Sequence, residues 1–301
     1  MADGTSNSTT NSLVNLGDLS KPADTLIKKI SKLVGGIFAP GQMKRMAKAE
    51  AEVAILKAET EIQITALHRR AMHRFVEEEA QRQQNIEDIT EKAIPQLKDS
   101  AAPDSIEDDW VTNFFEKSRI VSNKEMQELW SRVLAGEANT PGTYSKRTVN
   151  LLSDLDKKDA QLFEKLLGFA WMSPNVSPLV FDPQAAIYNQ HGIDFDSLTH
   201  LGSIGLLRFD PVAGFAKKAL GGKCAVFYYG RPVILEFKEE ADTRLRTGTV
   251  LLSQAGKELV QVCASKPVDG FLDYVMEQWK EYKPQLLPKQ NAAASVDSEG
   301  R

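Results

Sequence analysis

Residues 121–166 read VSNKEMQELWSRVLAGEANTPGTYSKRTVNLLSDLDKKDAQLFEKL. Ser122 followed by Glu125 has the form of a capping box, which predicts a helix over 123–137. Met126, Leu129, Trp130, Val133 and Leu134 recur on one face of it at helical spacing. NTPGT at 139–143 is a turn, and two further amphipathic helices are predicted over 144–155 and 157–171. One more helix over 108–119 precedes the stretch and carries Trp110, Val111, Phe114 and Phe115. Four helices with short loops predict a bundle over 104–172, with Trp110, Phe114, Trp130 and Leu134 in its core.

N-terminal to the bundle, KDSAAPD at 98–104 reads as a linker. Residues 42–97 lack glycine and are proline-free until Pro95, and alanine recurs through them. A single helix of about 50 residues would be about 75 Å long, too long for burial along its whole length. A narrow stripe through Ala47, Ala51, Ala54, Ala58, Ile62, Thr65, Met72, Val76, Asn85 and Ile89 suits close helix–helix contact, so this arm is expected to form a homo-oligomer. The alternative is a helix that folds back near 66–71.

Residues 21–38 are sharply amphipathic, with Leu26, Ile27, Ile30, Leu33, Val34, Ile37 and Phe38 on one helical face. Seven basic residues stand against one acidic residue over 21–48. Lys28, Lys29, Ile30, Lys32, Leu33, Ile37 and Phe38 are therefore a candidate partner or membrane surface. The competing reading is a helix docked on the protein's own core with its lysines in solvent. Residues 20–98 form the arm region, flanked by a polar segment at 1–19 that is expected to be disordered.

After the bundle the pattern changes. A short helix is expected over 195–207 and a strand near 206–209. CAVFYY at 224–229 and VILEF at 233–237 flank Gly230-Arg231-Pro232 as a hairpin. A strand over 247–252, a Ser253-capped helix over 254–263 and an amphipathic helix around Phe271–Trp279 complete the outline. Helix, hairpin, strand, helix resembles a winged-helix α+β domain over 173–287, with a second polar tail at 288–301. The expected fold class is mainly α: a long N-terminal helical arm, a helical bundle and a winged-helix-like α+β domain. The length of 301 residues argues for about two domains.

Signals for chemistry are weak. Cys224 and Cys263 form no CxxC pair and read as buried inert thiols. His68 and His73 are five apart, one step off metal-binding helical spacing, and no HExxH, Walker or GxSxG motif occurs. The run Glu77–Glu79 reads as a solvated face. No catalytic residue, metal site or cofactor is expected, and the chain is read as non-enzymatic. A winged helix would read DNA with its second helix, but the one over 195–204 carries Asp196 and no lysine or arginine. Arg231, Arg244 and Arg246 are the candidate nucleic-acid contacts. Ser145-Lys146-Arg147, near Arg119 and Arg132, is either an anion site or surface charge paired with Glu125, Glu128 and Glu137; Glu137 is also placed to satisfy a buried group in the bundle. The net charge of −4 argues against a strongly basic nucleic-acid binder. No apolar run reaches the length of a membrane span, and MADGTSNSTTNS lacks the form of a secretory signal. The expected compartment is the cytoplasm, with the basic helix as a peripheral contact at the inner membrane.

Two stretches carry a family resemblance. FAPGQMKRMAKAEAEVAILKAETE with HRRAMHRFVEEEAQRQQNIEDITEKA is one, and residues 121–166 are the other. Together they resemble the bacterial family called domain of unknown function 2806, over roughly 36–260. The second stretch is also similar, more loosely, to the helical module of abortive-infection alpha proteins. The first resemblance implies no assigned activity and no site residues. The second implies bacterial defence against phage, with a phage or host component as the protein partner.

Overall fold

The computed structural model describes residues 20–34, 65–218, 222–237 and 244–287. The expected tails, the alanine-rich stretch over 42–64, Ile37 and Phe38 lie outside them. The described residues form a mixed α+β chain with ten α-helices, one five-stranded antiparallel sheet and two two-stranded sheets. The chain divides into two compact units, Met1–Ser153 and Asp154–Arg301. Helix Lys157–Leu167 falls in the second of these.

The first unit is helical: α1 (Lys21–Val34), α2 (Ala66–Ala93), α3 (Asp108–Ser118), α4 (Lys124–Asn139) and α5 (Lys146–Ser153). Its core is aromatic. Trp110 stacks on Phe114 at 5.0 Å, and Phe114 meets Trp130 edge-on at 5.1 Å. Trp110, Phe114, Trp130 and Leu134 are all buried. The cap of α4 is Asn123, not Ser122: its side-chain oxygen accepts the N–H groups of Glu125 and Met126. Asparagine caps as well as serine, and the Ser122 hydroxyl instead meets Asn85.

The LAGEANTPGTYS stretch is a clamped loop. Glu137 is buried and accepts the backbone N–H groups of Gly142 at 2.6 Å and Tyr144 at 2.9 Å. A Cβ at Gly136 would stand 2.8 Å from the Tyr144 ring, so any larger residue there must displace that buried ring. Trp110 closes the arrangement by donating its indole N–H to the Tyr144 carbonyl. The stretch read as a linker is pinned as well: Ala102 N–H bonds to the Ala138 carbonyl, Lys98 N–H to the Asn139 side chain, and Pro103 and Ile106 are buried.

The expectation of one helix through residues 42–97 changes at the start of α2, while its globular C-terminal end agrees with the apolar spacing of Ile86, Ile89 and Ala93. Thr65 is extended (ψ 154°) and caps the helix, so no unbroken helix runs through it. Its C-terminal part is part of the bundle core, through Ile86, Ile89 and Ala93.

The second unit opens with α6 (Lys157–Leu167), capped by a reciprocal Asp156–Asp159 box. Helix was expected through 171, but Ala170–Ser173 is strand β1, paired with β2 (Asn175–Pro178). Next come α7 (Ala186–Asn189), α8 (Phe195–Ser203), β3 (Leu207–Phe209), β4 (Phe215–Lys218), β5 (Gly222–Tyr228), β6 (Arg231–Phe237), β7 (Arg244–Gly248), β8 (Val250–Leu252), α9 (Gln254–Leu259), α10 (Phe271–Gln278) and β9 (Gln285–Leu286). The large sheet runs β2-β1-β5-β6-β9, and β3 pairs with β8 and β4 with β7. The β5–β6 hairpin turns at Tyr229-Gly230, one step before the expected turn. Both residues have positive φ (45° and 78°), the signature of a type I′ turn. Ser253 caps α9 as its position predicts, accepting the Gly256 N–H. Cys224 and Cys263 are half-buried free thiols, and burial pushes the Cys224 thiol up.

Candidate functional site

Along α2 one helical face changes its surroundings. At the C-terminal end Asn85, Ile86, Ile89, Thr90 and Ala93 are buried. Asn85 donates to the Arg119 carbonyl at 2.8 Å, and Gln127 donates to the Val121 carbonyl at 2.9 Å and reaches Asn85 Oδ1. Lys92 donates to Gln127, and Lys124 pairs with Asp88 at 2.7 Å. Burial works against the Asp88 charge, but the hydrogen bonds from Lys124 and Gln84 and the positive charges of Lys124 and Lys92 outweigh it and hold the carboxyl below its ordinary value. Its neighbour Glu87 goes the other way, raised chiefly by burial.

Followed back toward the N-terminus, the same face leaves the core. Phe75 is 64% exposed, Leu67 65% and Met72 37%. Helical periodicity puts Phe75 and Met72 in line with Ile86, Ile89 and Ala93, while Leu67 lies to one side of that line. Around them the helix is charged, with Arg69, Arg70 and Arg74 in the first half and Glu77, Glu78 and Glu79 in the second. Arg74 and Arg82 bridge to Glu78, and Arg82 to Glu79, along the helix. Large exposed apolar side chains on a charged helix make this stretch the candidate recognition surface.

The N-terminal candidate surface is placed differently. Leu26 and Ile30 are fully buried, packing α1 onto the first unit. Lys29 is nearly buried: its ammonium donates to the carbonyls of Asp104 and Ile106 and pairs with Asp108 at 3.1 Å. Ile30 and Lys29 therefore serve the docking of α1 on its own unit and are not presented outward. Lys28 and Lys32 are exposed, Lys28 paired with Asp24, and Leu33 is half-buried.

The candidate nucleic-acid residues are only partly brought together. Arg244 and Arg246 lie on β7, with Arg244 directly opposite Lys218 on β4 and Arg246 opposite Ala216. All three basic side chains are exposed on one face of this ribbon. On its other face Lys217 donates to the Ser173 carbonyl; burial, and then the neighbouring Lys257, pull its ammonium down. Arg231 stands apart in the large sheet, opposite Tyr228. Lys146 pairs with Asp109 and Arg119 with Glu116, which occupies two members of the proposed anion cluster.

Among the described residues no group of three or more His, Cys, Asp or Glu side chains is placed to hold a metal ion, and no helix is long and apolar enough to cross a membrane. The sequence stripe missed Leu67 and Phe75. The signal that finds Phe75 is the phase of the buried residues Ile86, Ile89 and Ala93, carried backward; Leu67 lies off that phase.

A family model described as "Protein of unknown function (DUF2806)" matches residues 69–276. No curated protein and no solved structure matches the chain.

Proposed function

Starting from the fact that this chain belongs to the DUF2806 family of proteins of unknown function, we propose that it is a non-enzymatic, self-associating interaction protein. The observation that carries this reading is the face of α2. It is core at Ile86, Ile89 and Ala93, and it continues as exposed Phe75 and Met72. Burying a Phe or Met side chain is worth about 1.5–3 kcal/mol, so a second copy covering this face gains from contacts that one chain leaves in water. The setting we assign is a bacterial antiphage (abortive-infection-like) defence or stress system, with a phage or host component as a further protein partner. That setting rests on the looser resemblance of residues 121–166 alone.

Light scattering on the full chain, against a Met72→Glu/Phe75→Glu variant, tests the self-association. Both positions are exposed, so the variant keeps the bundle intact and dissociates. A phage challenge of cells carrying either form tests the setting.

A second reading is a winged-helix-like nucleic-acid-binding regulator. The β4–β7 ribbon favours it, because Lys218 and Arg244 stand directly opposite each other. With Arg246 they form a set of exposed basic side chains on one face of the ribbon, which suits a phosphate backbone. Against it, α8 presents Asp196 and no basic residue other than His200. Salt-dependent binding of duplex DNA that is lost in Arg244→Ala/Arg246→Ala supports this reading, and no binding at low salt removes it.

A further inference from the structure

The docked part of α2 sets a phase that can be followed along the whole helix. Counting back from Ala93 in alternating steps of four and three gives Ile89, Ile86, Arg82, Glu79, Phe75, Met72 and His68. This is the seam spacing of a coiled coil. The lower three positions are buried in the bundle, while Met72 and Phe75 are the exposed apolar pair.

We infer that the upper seam pairs with the same seam of a second copy running antiparallel, about a centre between His73 and Arg74. This rests on the self-association proposed above and names its geometry. In that register Met72 of one copy packs on Phe75 of the other, twice over, in the a-against-d layers of an antiparallel pair. His68 meets Glu79 in the layers above and below. Two apolar layers are thus closed at each end by a polar pair of complementary type.

The distribution of charge selects the direction. The first half of the exposed segment carries Arg69 and Arg70, and the second half carries Glu77, Glu78 and Glu79, with Arg74 at the centre and bridged to Glu78 of its own helix. Antiparallel pairing sets the basic half of each copy beside the acidic half of the other. Parallel pairing sets arginine beside arginine and glutamate beside glutamate over the whole contact, and stacks His68 on His68 and Glu79 on Glu79. Such like-charge juxtaposition suppresses the wrong arrangement. Ala71 flanks the seam beside Met72 and lets the two helices approach closely there.

Cysteine cross-linking decides the direction. In a full-length chain carrying Cys224→Ser and Cys263→Ser, a His68→Cys protein is mixed with a size-tagged Glu79→Cys protein and oxidised. The expected result is a disulfide between the two different chains, with little self-linking of either. Residues 68 and 79 are eleven positions apart, about 16 Å along the helix, beyond the reach of a disulfide in any other orientation of this seam. Self-linked His68→Cys and self-linked Glu79→Cys chains without the mixed product overturn the antiparallel pairing. Light scattering of the parent protein separates the two levels. A parent that dimerises without the mixed product defeats the direction alone. A monomeric parent defeats the self-association as well, and residues 35–64 of the same chain then become the candidate cover for this face.

Discussion

Asn85 on α2 donates its side-chain amide to the backbone carbonyl of Arg119, just past the end of α3, at 2.8 Å. This bond marks the boundary between the docked and the projecting parts of α2. Above it, side chains at 65–75 are exposed; from Asn85 to Ala93 most are buried. Asn85→Ala leaves the Arg119 carbonyl and the Gln127 amide short of a partner. It is expected to cost about 1–3 kcal/mol of stability, read by urea unfolding. Phe75→Ala, ten residues away but exposed, is expected to change stability by no more than about 0.5 kcal/mol while weakening self-association. Equal losses from the two variants contradict this division of the helix.

The most recognisable motif of the chain is explained by folding. Glu137 satisfies two backbone N–H groups of the loop that Gly136 and Gly142 permit. Glu137→Ala strands the buried Tyr144 donor and leaves the more exposed Gly142 donor to solvent, with an expected loss of about 1–3 kcal/mol. Glu137→Gln keeps one acceptor and is expected to lose less. The order of the two melting temperatures checks this.

Much of the helical unit was legible in the sequence, because amphipathic periodicity is a local signal. Leu134, Trp130 and Phe114 are buried where their spacing puts them. Ser253 was found as a cap for the same reason. Strands β1, β2 and β4 were not found. Each is four residues long, and AWMS or FAKK becomes a strand only through partners distant in sequence, such as Phe227 for Met172 and Arg244 for Lys218. The exposed apolar face of α2 was legible only in part. The stripe met it at Met72 and Ile89 but ran from Met72 through Val76 to Asn85, and so it passed Phe75 by.

The role of α1 separates its lysines. Lys29→Ala removes the donor to two carbonyls and the partner of Asp108, and is expected to cost about 1–2 kcal/mol. Ile30→Ala empties a fully buried position and is expected to cost about 2–5 kcal/mol. Lys32→Ala, exposed, is expected to be within about 0.5 kcal/mol of the parent. Thermal unfolding of the three variants measures this. A parent protein that floats with anionic vesicles while its fold is intact contradicts the docking of α1.

Two adjacent carboxylates predict opposite pH effects. The Asp88 carboxyl is lowered in the folded state, so it contributes stability above its unfolded value that is lost as pH falls through its folded value. The Glu87 carboxyl is raised by burial, so the folded state takes up its proton first. Its ionised form weakens the fold at neutral pH, and that cost disappears as pH falls. At pH 7 Asp88→Asn is therefore expected to destabilise and Glu87→Gln to stabilise. Both differences shrink at pH values below those of ordinary carboxylates, about 4. Unfolding curves at pH 7 and in acid give the signs directly.

The measurement that bears most directly on the central claim is the solution mass of the full-length protein across a dilution series. The chain weighs 33.4 kDa. Self-association through α2 gives twice that mass for the parent at high concentration, and the single-chain mass for Met72→Glu/Phe75→Glu with an unchanged circular dichroism spectrum. A parent that keeps the single-chain mass at every concentration contradicts it.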